Sequence, residues 1–143
     1  MTSFVPGRGT DLLDINFQAE ISDLLSGCKI ERAGKPGATM AVALAPILVV
    51  SRGAANGDGR ADFSYFVSVI DGNDRIVNKQ DFAVGVTFEG NRNTVVVRED
   101  ESPISVDIPL NPGVNPLDYE IIVGLQLTQS QLEYNRDRRA AVR

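Results

Sequence analysis

The sequence predicts an all-β domain, an antiparallel sandwich of about seven strands followed by a short C-terminal α-helix. Three observations predict it. Apolar and polar residues alternate with period two in several short runs. Turn-forming clusters separate those runs, drawing on 13 Gly and 7 Pro. The alternation ceases near residue 128, where a helix-start pattern replaces it. Period two is the signature of a strand with one buried face, and many short strands with frequent turns resolve into a sandwich or barrel.

The first strand is expected in Asp14–Leu25. Ile15, Phe17, Ala19 and Ile21 alternate with Asn16, Gln18, Glu20 and Ser22. Gly27, Gly34, Pro36 and Gly37 place a turn around Glu31–Pro36. A second strand follows over Ala38–Val50, with Met40, Val42 and Leu44 large and alanines between them. It pairs antiparallel with the first. Pro46 interrupts it, cannot donate to a ladder, and so requires an edge or a bulge. The same proline and the β-branched run after it count against a helix here.

Ser51–Arg60 reads as a polar loop. Asp62–Ile70 is the third strand, with Phe63, Tyr65, Val67 and Val69 on one face and Phe66 and Ile70 on the other. Asp71-Gly72-Asn73-Asp74 turns the chain. Arg75–Phe88 continues as strand, with Phe82, Val84, Val86 and Phe88 on one face. After the turn Gly90–Asn93, Thr94–Val97 and Ile104–Leu110 form short strands around an acidic bend, Glu99-Asp100-Glu101. Asn111–Pro116 is a loop, and Tyr119–Leu127 is the last strand. Seven strands in this spacing suggest an Ig-like sandwich, with Tyr119 suited to a tyrosine corner. Residues 1–13 read as an extended N-terminal segment, 14–127 as the sandwich, and 128–143 as the helix and tail.

Thr128 and Gln131 have capping-box spacing. Leu132, Tyr134 and Val142 are the only large apolar residues of the helix. A helix with so weak an apolar face gains little from its own domain and is expected to project or to dock on a partner. Glu133, Tyr134, Asn135 and Arg136 are the candidate partner-binding residues. Packing of this helix start against the last strand is the structural alternative.

Composition excludes several chemistries. The chain of 143 residues fits one domain, and a net charge of −5 disfavours nucleic acid. Arg136, Arg138, Arg139 and Arg143 form a basic tail, suited to an acidic partner or lipid head groups, with a solvated helix end as the structural alternative. With no histidine, Ser-His-Asp and Cys-His catalysis are absent. An enzyme would have to use paired loop carboxylates, and no enzyme is expected. The lone Cys28 cannot form an internal disulfide. It is expected to be a small buried apolar residue. No run reaches the ~20 apolar residues of a membrane-spanning helix.

Asn56-Gly57-Asp58-Gly59-Arg60-Ala61-Asp62 resembles the short calcium loop of integrin-type and dockerin-like repeats. Asn56, Asp58 and Asp62 fall on oxygen-ligand positions and Gly59 on the turn. Ala54 stands where those loops begin with Asp. A calcium- or carbohydrate-binding sandwich using this loop is the alternative function. A plain loop of turn formers before a strand is the structural reading of the same residues. No cofactor other than calcium is suggested.

A wider resemblance lies in Tyr119–Thr128, with Val123-Gly124-Leu125-Gln126-Leu127-Thr128, and in Leu132-Glu133-Tyr134-Asn135-Arg136. Tyr65–Asp71 and Gly7–Asp11 add to it. The pattern resembles a family of small alphaproteobacterial lipoproteins without assigned activity, with Leu125 where members carry Phe. The resemblance implies a periplasmic, cell-envelope protein whose lipid anchor lies upstream of this chain. Met1-Thr2-Ser3 would then be a start placed after a removed targeting segment. Membrane contact is expected only through that anchor, and the implied role is a non-catalytic protein-interaction or structural module.

Overall fold

The computed structural model describes residues 1–7, 9–33, 35–98, 103–110 and 115–142, with side chains to 138. Arg8, Gly34, the acidic bend Glu99-Asp100-Glu101, most of the Asn111–Pro116 loop, the Arg139 side chain and Arg143 lie outside it. The described strands are β1 (Thr2–Phe4), β2 (Ile15–Glu31), β3 (Thr39–Arg52), β4 (Arg60–Ile70), β5 (Ile76–Thr87), β6 (Thr94–Arg98), β7 (Ile104–Pro109) and β8 (Glu120–Leu125). Helix α1 spans Gln129–Val142.

The strands form two antiparallel sheets. One runs β1-β2-β3-β6, with β7 also on β3; the other runs β5-β4-β8. This is an all-β sandwich. Its neighbour order is that of strands A-B-E against C′-C-F in the immunoglobulin pattern. β6 and β7 share the place of strand E along β3, at Ile47–Ser51 and Thr39–Leu44.

The alternating residues meet between the sheets. Phe17, Ala19, Met40, Val42, Leu44, Leu48 and Val50 pack against Tyr65, Val67, Val69, Val84 and Val86. Phe17 and Phe63 bring ring centroids to 5.9 Å, and the cross-strand pair Tyr65–Phe82 stacks at 5.2 Å. Burial of these apolar faces is the main stabilising term.

Several expectations change in the structure. The N-terminal segment is not merely extended: β1 adds to β2, and Thr2 is buried. β2 continues past Gly27 to Glu31, so Cys28 is exposed rather than buried. The reason is that, among the described strands, β2 beyond Asp23 is the outermost of its sheet, with β3 alone beside it. The last strand ends at Leu125 rather than Leu127, although Gln126 still donates its N–H to the Ser64 carbonyl. The Tyr119 ring packs on the core edge, but among the described residues its hydroxyl makes no corner bond.

Pro46 is fully buried on the central strand β3, not at a sheet edge. The compensation is local. β2 carries a bulge between Ile21 and Asp23, beside Leu48 and Ile47. On the opposite side the β7 ladder ends at Leu44 and the β6 ladder begins at Ile47. Pro46 falls in that interval, where no ladder bond requires its missing N–H.

Candidate functional site

The helix start is built as its sequence dictates. The Gln131 side chain accepts from the Thr128 N–H at 2.9 Å, and the Thr128 hydroxyl accepts from the Gln131 N–H at 3.3 Å. This reciprocal cap fixes the angle at which α1 leaves β8. The helix then packs on β1. Phe4 and Tyr134 make an edge-to-face pair at 4.9 Å and 79°.

The four candidate partner-binding residues therefore divide. Tyr134 and Asn135 are half-buried on the domain side, while Glu133 and Arg136 face solvent. Glu133 accepts a hydrogen bond from the Gln129 side chain at 3.1 Å, one helical turn back. A cleft of about 430 Å³ separates the helix from the N-terminal segment, lined by Phe4, Pro6, Thr10, Gln131 and Tyr134 among others. Of the four, Glu133 and Arg136 are the most open to a partner.

The Asn56–Asp62 loop is organised from within. Asn56 is 6% exposed. Its amide nitrogen donates to the Asn16 side-chain oxygen at 2.9 Å and the Arg60 carbonyl at 2.8 Å. Its amide oxygen accepts the Gly59 N–H at 2.8 Å. Asp58 accepts the Arg60 N–H at 3.1 Å, and Asp62 lies 3.5 Å from the Arg60 guanidinium. Asn56 points into the fold and tethers the loop to β2, whereas Asp58 and Asp62 are exposed. No cluster of three acidic, cysteine or histidine side chains able to hold a metal forms among the described residues.

A third feature was not legible as a site. Beyond its bulge, β2 presents a long strand edge that is open among the described residues. β1 ends its pairing at Ala19, where Met1 exchanges main-chain bonds with it. From Ser22 to Glu31 every residue is exposed, including Leu24 at 36%, Leu25 at 44% and Ile30 at 43%. An open edge that carries exposed apolar side chains can serve as a template for strand addition. A trace was present in the sequence: Leu24-Leu25 breaks the alternation just past the bulge, and Ile30 is apolar just ahead of the expected turn.

No family model, curated protein or solved structure matches the chain.

Proposed function

We propose that this chain is a non-catalytic protein-interaction or structural module of the bacterial cell envelope. The observation that carries the reading is the open edge of β2. An unpaired strand offers a row of main-chain donors and acceptors, and apolar side chains beside it supply affinity. Natural sandwiches usually protect such edges; this one leaves Leu24, Leu25 and Ile30 in water. Absence of histidine supports a binding role, because the commonest acid–base and nucleophile-activating group is missing. Envelope location rests on the lipoprotein-like pattern at Val123–Thr128 and Leu132–Arg136. Glu133 and Arg136 provide a second, smaller polar contact.

Site-specific photo-crosslinking in cells that make the protein naturally tests the reading. A photoreactive residue at Leu25 gives a discrete adduct, either with a second copy or with another envelope protein. The same residue at Asp81, exposed on β5, gives none. No adduct at Leu25 sinks the module reading. Fractionation of the native protein into the cytosol would separately sink the envelope assignment.

A further inference from the structure

We infer that the open edge of β2 pairs with the same edge of a second copy of this chain, antiparallel about a two-fold axis at Ser26. The inference rests on the interaction-module reading and names its partner.

Main-chain direction comes first. Ala19 exchanges bonds with Met1, so odd-numbered residues ahead of the bulge turn their N–H and C=O away from β3. The extra residue in the bulge reverses that parity. Beyond it, Leu24, Ser26, Cys28 and Ile30 direct their main-chain groups to the open side. The Leu24 N–H is held by its neighbour, the Asp23 carboxylate, at 2.8 Å. Among the described residues, the outward main-chain groups of Ser26 and Cys28 have no partner and can meet a new strand.

Charge then selects the register. In a two-fold antiparallel pair, one residue sits on the axis and all other pairings follow. With Ser26 on the axis, Asp23 lies opposite the partner's Lys29, and Lys29 opposite the partner's Asp23. Neither side chain has an ion-pair partner among the described residues. Moving the axis to Gly27 sets Asp23 against the partner's Glu31, a like-charge pair. Moving it to Leu25 sets Lys29 against Ile21 and Ile30 against Glu20. Of these three registers only the one at Ser26 matches opposite charges, and symmetry applies the match twice; an axis at Ile30 would also set Lys29 against Glu31, but it overlaps only the last residues of β2.

Shape agrees with the same register. Leu25 falls opposite the partner's Gly27. A Cβ at Gly27 would meet nothing within 4 Å. Shallow hollows of about 250 and 240 Å³ adjoin Gly27, floored by Ala43 with Ala41 and Ala45. The partner's Leu25 fills this floor. On the other face Leu24 lies beside the partner's Cys28. About six main-chain bonds join Ser26 to Ser26 and Leu24 to Cys28, as in an antiparallel ladder. Asp23 releases the Leu24 N–H as it turns to Lys29. The contact is small, so the dimer is weak and reversible.

The test combines charge reversal with cysteine placement. Sedimentation equilibrium of the full chain at roughly 0.1–1 mM, where weak interfaces assemble, shows a monomer–dimer equilibrium. Lys29→Glu weakens association by about tenfold or more. Asp23→Lys with Lys29→Glu restores it. In a Cys28→Ser background, Ser26→Cys cross-links on mild oxidation, because residues facing across the axis lie about 5.5 Å apart, within disulfide range. Wild-type Cys28 does not, since the two copies sit about 14 Å apart along the ladder. A monomeric wild type, an unaffected Lys29→Glu variant or cross-linking at Cys28 but not Ser26 overturns the inference. A photo-adduct at Leu25 with a different protein also overturns it, while leaving the module reading standing.

Discussion

The ring of Phe66 lies across the backbone of Gly124. The two are directly opposed on β4 and β8, and a Cβ at Gly124 would come within 2.8 Å of the ring. Lys79 of β5 lies 5.0 Å from the centroid of the same ring. The glycine of the Val-Gly-Leu-Gln-Leu-Thr run therefore exists for packing: it opens a slot for an aromatic neighbour. Gly124→Ala should destabilise the domain by about 1–3 kcal/mol through overpacking. Phe66→Leu in that background should recover part of the loss, because the two sites share one space. Gly57→Ala, with nothing within 4 Å, should cost nothing measurable. Urea denaturation midpoints of the four proteins check this.

The contact between helix and N-terminal strand makes a separate prediction. Phe4 and Tyr134 meet edge-to-face at 4.9 Å, and the weak apolar face of α1 offers little else. A double-mutant cycle with Phe4→Leu and Tyr134→Leu should return a coupling of about 0.5–1.5 kcal/mol. Hydrogen exchange should show faster opening of α1 in either variant while β3 and β4 stay protected. Uniform loss of protection across the sheets would show that α1 is part of the core.

The local half of this architecture was legible in the sequence. The runs at Ile15–Ile21, Phe63–Val69 and Phe82–Phe88 bury the predicted faces because the opposite sheet covers one side of each strand. The Thr128–Gln131 cap formed as read because its geometry involves only its own turn. The misreadings are all non-local. Cys28 is exposed because the opposite sheet does not cover that end of β2, which no neighbouring residue encodes. β1 is too short to display a period, and Thr2 is buried by what β2 provides. A tethering amide and a metal-binding amide are the same residue in sequence, so Asn56 reads alike for both tasks.

Asn56 makes that distinction testable. Its side chain bonds Asn16, the Arg60 carbonyl and the Gly59 N–H while buried. Asn56→Ala should cost about 3 kcal/mol, since buried partners lose their bonds. Asp58→Ala, on the exposed side of the loop, should cost under about 1 kcal/mol. With Asn56 committed to the fold, millimolar calcium should leave the melting temperature equal to that in chelator. A metal bound only to the folded chain would raise it.

The amino group of Met1 supplies a pH dependence with a definite sign. It donates to the Ala19 carbonyl at 2.8 Å. Partial burial, then the positive charge of Arg138, hold its pKa below the usual 8.0, with Glu20 opposing. In a chain that begins at Met1, the folded state thus binds this proton less tightly than the unfolded state. Between the lowered pKa and about 8, the unfolded chain carries more protons, so stability rises with pH. The gain is complete above about 8 and absent below the folded pKa. With no histidine in the chain, the main group that ordinarily titrates between pH 6 and 8 is missing, leaving the amine legible there. Denaturation midpoints should climb gently across that range. Acetylation of Met1 removes the charge but keeps an N–H for Ala19, so the slope should vanish without loss of the β1–β2 pairing. A slope that survives acetylation would assign the titration to another group.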